Sequence, residues 1–97
     1  MSEQTLEHTG GSSSYYDVEL DVELVGPKRK KVAPAIVSCN LIIEALNMNY
    51  AQATVFKAVW RICASKLGRK KKGNNTIYDA EKILFFGERI HVQESNK

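Results

Sequence analysis

The stretch that most constrains the fold is "YYDVELDVELV", residues 15–25. Apolar and acidic residues alternate there. Tyr16, Val18, Leu20, Val22 and Leu24 share one side of an extended chain, and Tyr15, Asp17, Glu19, Asp21 and Glu23 share the other. Period two is the spacing of a β-strand with one buried face, and no helix keeps such a set together. "GPKRKK" follows at 26–31 and supplies turn chemistry, with Pro27 fixing φ directly after a glycine. "VAPAIV", 32–37, is then a second strand, placed on a sheet edge because Pro34 has no N–H for a ladder. The expectation is a β-hairpin over 15–37.

The rest of the chain changes period. "SCNLIIEALNM" predicts a short helix over about 38–47, with Ser38 or Asn40 as its cap. "NYAQATVFKAVWRICASKLG" predicts a second over 50–67, opened by Asn49 with Gln52 three residues on, the spacing of a capping box. Phe56, Val59, Trp60, Cys63 and Leu67 form its apolar stripe, expected to face the core, and Gly68 is its stop. A third helix is expected over about 77–92. Thr76 would cap it, Asp79 would favour its positive end, and Ile77, Ala80, Leu84 and Gly87 would form one ridge that Ile83, Phe86 and Ile90 widen. Gly87 suggests a close helix approach. The fold class is therefore α+β: an N-terminal hairpin packed on a three-helix unit, one domain over 15–97 after a disordered tail, 1–14. A chain of 97 residues buries only a modest core, and the hairpin leaves an edge strand, so self-association is expected.

Charge is segregated along the chain. Residues 1–27 contain acids and no lysine or arginine, whereas every charge between Glu44 and Asp79 is positive. Such asymmetry bears on partners more than on fold. Apolar runs are too short for a membrane span, and the polar N-terminus has no signal-peptide order, so a cytosolic chain with reduced Cys39 and Cys63 is expected. No His–carboxylate pair or metal-ligand spacing points to a catalytic centre, a metal or a cofactor.

"GRKKKGNNT", 68–76, resembles a phosphate-binding loop at first sight. A Walker loop follows a strand and carries a lysine after its second glycine. Here the context is helix to helix, and Asn74 holds that place. An anion-attracting arrangement remains: the cations Arg69, Lys70, Lys71 and Lys72, then Asn75 and Thr76 at a helix start whose N–H groups lack partners. Lys57 and Arg61, four apart, share a face of the second helix, with Asp79 as an acid that could reach them from elsewhere. Asp79 and Lys82 are three apart on the third helix, and Tyr78 is the best-placed ring for stacking on a base.

Residues 39–90 resemble the SaV-like family of small phage proteins, a domain of unknown function also found in podophage proteins described as nucleotide kinases. "CNLIIEAL" matches the end of the family's first helix. Its aromatic-to-K-x-x-W-R element reads Tyr50, Lys57, Trp60 and Arg61, and its D-x-x-K element reads Asp79 and Lys82. The family's Gly-Asn pair is Ala53-Thr54 here. The resemblance implies a phage accessory protein in the host cytoplasm, with Lys57, Arg61 and Lys82 as the matched cations. It points to non-catalytic binding of a nucleotide-like ligand, such as a host nucleotide or nucleotide immune signal. The alternatives are a nucleic-acid-binding accessory protein, a nucleotide kinase, and an inhibitor that binds a host protein through the acidic strand face.

Overall fold

The computed structural model describes residues 13–68 and 75–97. An antiparallel hairpin is followed by three helices, as the α+β reading requires. A 3-10 turn over Ser13–Tyr16 leads into β1, Asp17–Val25, which pairs with β2, Lys28–Ser38. Helices α1, Cys39–Ala45, α2, Tyr50–Lys66, and α3, Thr76–Ser95, complete the chain. Tyr15 and Tyr16 thus belong to the turn and not to the strand, and α3 runs three residues past its expected end.

The hairpin turn is Gly26-Pro27. Gly26 has φ +60°, and Pro27 is confined to negative φ, which together make a type II′ connection. From Asp17↔Ser38 to Leu20↔Ala35 the strands are in one register. The register then shifts, so that Val22 faces Lys31. Pro34 lies in the interrupted stretch, where its missing N–H costs no ladder bond. The shift is by two residues, so Val18, Leu20, Val22 and Leu24 stay on one face. Asp21 and Lys31 form an exposed ion pair at 3.1 Å, and Glu23 stands opposite Lys30. The acidic strand and the cationic turn therefore offset each other locally.

Local signals set the helix ends. Ser38 Oγ accepts from the Asn40 N–H at 3.2 Å. At α2 the capping box is complete: Asn49 Oδ1 accepts from the Gln52 N–H at 2.9 Å, and Gln52 Oε1 accepts from the Asn49 N–H at 3.0 Å. Gly68, at φ +79°, ends α2 as expected. At α3 the cap is Asn75 and not Thr76: its Oδ1 accepts from the N–H groups of Ile77 and Tyr78 at 2.9 and 3.4 Å. Asparagine is the stronger cap, and its use moves the helix start back one residue.

The core differs most from expectation. Among the described residues the buried apolar side chains are Tyr15, Cys39, Ala51, Ala58 and Ala64. None is a leucine, isoleucine, valine, methionine, phenylalanine or tryptophan. Ala51 and Ala58 share one side of α2, and both are buried. The larger stripe of Phe56, Val59, Trp60, Cys63 and Leu67 lies on a groove open to solvent, and Leu67 is 74% exposed. The expected α3 face is split: Ile77 and Leu84 point outward, 66% and 76% exposed, whereas the residues expected to widen it turn inward. Inward-facing α3 residues are Asp79, Ile83, Phe86 and Ile90, part or fully buried. A Cβ added at Gly87 would meet nothing within 4 Å, so no close helix approach explains that glycine. The hairpin meets the helices mainly at its base, through the 3-10 turn against α2 and the end of β2 against α1. Leu20 and Leu24 are exposed.

Candidate functional site

Tyr50, Thr54, Lys57 and Arg61 recur at i, i+4, i+7 and i+11, and therefore stand on one face of α2. Lys82 of α3 completes a hollow of about 150 Å³ lined by these five residues. Three cations from two helices thus converge with two hydroxyls. Larger hollows elsewhere, of about 270 and 470 Å³, are lined almost wholly by apolar side chains and offer nothing to fix an anion.

One internal acid answers the three cations. Asp79, 2% exposed, turns from the first turn of α3 toward α2. Its Oδ1 accepts from Arg61 Nε at 3.0 Å and from Arg61 Nη2 at 2.8 Å. Arg61 Nη1 donates to the Tyr16 hydroxyl at 2.8 Å. Among the described residues Asp79 Oδ2 has no hydrogen-bond partner. Burial works against the Arg61 charge, but the hydrogen bonds from Asp79 and Tyr16 outweigh it and raise the guanidinium pKa above its ordinary value. Arg61 is therefore a fixed cation. Lys57 Nζ lies 5.6 Å from the Tyr16 ring centroid, and Lys82 Nζ lies 4.9 Å from that of Tyr78. Neither lysine has a carboxylate within salt-bridge distance among the described residues.

Tyr16 is held in place from the side. It stacks on Tyr15 with ring centroids 4.3 Å apart, and the Tyr15 carbonyl accepts from Trp60 Nε1 at 2.9 Å. Burial, then the Tyr16 hydroxyl beside it, pushes the Tyr15 phenol up to about 12. Burial also raises the Cys39 thiol, while Lys57 and then Arg61 pull it the other way.

The expected site divides into parts. Lys57, Arg61 and Lys82 come together, and Asp79 joins them as the partner of Arg61 rather than as a surface mate of Lys82. Asn75 and Thr76 stay apart from the hollow. The N–H groups of Ile77 and Tyr78, expected to attract an anion, already bond to Asn75. Tyr78 is 58% exposed and stands beside the site over Lys82. Arg69, Lys70, Lys71 and Lys72 lie outside the described residues, as do residues 1–12 of the expected tail. Among the described residues no group of three or more His, Cys, Asp or Glu could hold a metal ion, and no helix is long and apolar enough to cross a membrane. Tyr50 and Thr54 were not expected in the site, although their helical spacing to Lys57 and Arg61 is a signal that could have found them. Tyr16 carries no local signal, being 45 residues from Arg61 in the chain.

No family profile, curated protein or solved structure matches this chain.

Proposed function

We propose that this protein is a non-catalytic binder of a small phosphate-bearing ligand, with the phosphoryl group held between Lys57, Arg61 and Lys82. The observation that carries the reading is the convergence of these three cations on one hollow with no carboxylate in its lining, the nearby Asp79 being committed to Arg61. Two positive charges are left for a ligand, and a dianionic phosphoryl group matches them. Tyr50 and Thr54 supply hydroxyl donors to its oxygens. A cavity of about 150 Å³ takes a guest the size of benzene. It therefore suits a phosphoryl group and not a whole nucleotide. The remainder of the ligand lies outside, where exposed Tyr78 offers a face for a base. Together with the phage-like spacings, this supports an accessory role in an infected host's cytoplasm: sequestering a nucleotide or a nucleotide immune signal.

Calorimetry at low salt with inorganic phosphate, nucleoside monophosphates and cyclic dinucleotides tests this reading. Heat is expected with at least one of them, and Lys57→Ala combined with Lys82→Ala should weaken binding tenfold or more. Absence of heat with every ligand would sink it. A coupled assay with ATP and deoxynucleoside monophosphates separates binding from phosphoryl transfer. Turnover lost in Lys57→Ala would replace binder by kinase. Nucleic acid is a weaker reading, because the acids of β1 lie across the hairpin from the cations of β2. A gel shift at low ionic strength decides it.

A further inference from the structure

Two apolar surfaces of this chain lack a partner, and their shapes are opposite. The first is concave. Phe56, Val59, Trp60, Cys63 and Leu67 run along the side of α2 away from Ala58, and the two apolar hollows share Phe56 and Val59. The second is convex. Ile77, Ala80 and Leu84 form a ridge on the outer side of α3, all three exposed.

Neither surface is incidental. Among the described residues no large aliphatic side chain is fully buried, so covering these stripes would add to a modest core. Scattered apolar residues on a surface are ordinary, but two continuous stripes on adjacent helices are not. Besides α3, α2 meets α1 and the 3-10 turn, yet Val59, Cys63 and Leu67 on its groove side stay exposed.

We infer that the groove on α2 is filled by the α3 ridge of a second copy of this chain. Three observations favour that occupant. Ridges packed into grooves are how helices associate, and this pair supplies one of each. The charges agree as well. Lys66 borders the groove on a helix with no acid at all, while Glu81 and Glu88 border the ridge, and none of the three has a salt-bridge partner among the described residues. Finally, a single kind of contact covers both stripes, whereas pairing groove with groove leaves every ridge bare. Because the two surfaces differ, the contact is heterologous, and repetition gives a closed ring or an open chain of copies. The phosphate hollow lies on another side of α2, so this assembly stands or falls apart from the ligand reading.

The test uses the full chain. Sedimentation velocity over a hundredfold concentration range should show species heavier than the monomer, with a melting temperature that rises with concentration. Val59→Glu spoils the groove and leaves the ridge. Leu84→Glu spoils the ridge and leaves the groove. Each variant alone should sediment as a monomer, and an equimolar mixture should form a heterodimer, since one sound groove then meets one sound ridge. A folded wild-type monomer at every concentration overturns the inference. So does a Leu84→Glu variant that keeps the wild-type mass, which would indicate groove-to-groove pairing. Should Val59→Glu not fold, Leu84→Cys serves instead. Its new thiol should oxidise with native Cys63 of the next copy into a ladder on a non-reducing gel, absent from the wild type. Failure to form that ladder counts equally against the inference.

Discussion

Asp79→Ala is the most informative single perturbation, because among the described residues it removes the one counter-charge of a guanidinium that cannot leave. The Arg61 side chain is 14% exposed and that of Asp79 3%. The pair is therefore largely desolvated, and its value must be judged by what its loss leaves behind. Removing one partner of a buried ion pair costs about 3–5 kcal/mol, since the other charge stays buried and unpaired. For a domain of this size each kcal/mol lowers the melting temperature by about 4–8 °C, so the expected fall is roughly 12–40 °C. Asp79→Asn keeps an acceptor for Arg61 but not the charge, and should cost about 1.5–3 kcal/mol, the worth of a hydrogen bond to an ion. Replacing both partners by apolar residues, Arg61→Met with Asp79→Leu, should recover much of the loss, because the penalty comes from the stranded charge. Thermal melts followed by circular dichroism give all three values. Phosphate adds a further arm: in Asp79→Ala it should raise the melting temperature more than in the wild type, as the freed guanidinium borders the hollow. A ligand at a hundred times its dissociation constant contributes about 2.7 kcal/mol. Asp79→Ala melting within 4 °C of the wild type would falsify this account of the pair. A double variant as unstable as the single one would show that shape matters there and charge does not.

Gly87→Ala should stabilise the protein by about 1 kcal/mol, since the new methyl meets nothing within 4 Å and the glycine penalty inside a helix is removed. A urea titration giving a lower midpoint refutes the open space assigned to that position. Asn49→Ala removes one half of the α2 capping box and the bond from Asn49 Nδ2 to Gln93 at 3.2 Å, and should cost about 1 kcal/mol in the same titration. Tyr15 predicts an alkaline limit. Its pKa is pushed up to about 12 in the folded chain, above the ordinary phenol value of 10.0, so folding favours the protonated phenol. That contribution, about 2–3 kcal/mol, is complete below pH 10 and is lost as pH rises from 10 to 12. Tyr15→Phe should flatten this part of the stability–pH curve, and a curve of unchanged steepness would remove the phenol from the explanation.

Legibility from sequence followed the range of the interactions. The hairpin, three helices, Gly68 stop and Asn49–Gln52 box depend on residues within a few positions of one another, and each was readable. Partner choice was not. The stripe ending in Leu67 and the ridge containing Leu84 have correct helical spacing, but spacing says only that residues share a face. Ala51 and Ala58 form an equally regular set, and theirs is the side of α2 that is buried. The cap at α3 was misplaced by one residue because Asn75 and Thr76 both suit the role. In the site, Lys57 and Arg61 were legible as a face of α2, and Lys82 was singled out by the phage-like motif. Arg61–Asp79 crosses 18 residues and Arg61–Tyr16 crosses 45, distances at which no periodicity operates.

The tyrosine pair ties the two surfaces together. Tyr15 lines the apolar groove, and its carbonyl is bonded by Trp60, which lines the same groove. Tyr16, stacked against it, holds Arg61 by its hydroxyl and lies near Lys57. A body seated in the groove therefore presses on the same short turn that positions two of the three cations. Coupling between distant sites requires an element that both of them bias, and the Ser13–Tyr16 turn fits that description. If a neighbouring copy orders this turn, it orders the Tyr16 hydroxyl with it, and the entropy of fixing Arg61 is met before ligand arrives. Assembly should then tighten phosphate binding and phosphate should favour assembly by the same factor, as linkage demands. Tyr16→Phe should uncouple the two: the ring and its stacking remain, so the copies still associate, but Arg61 loses its bond to the turn. Phosphate affinity in that variant should no longer depend on protein concentration.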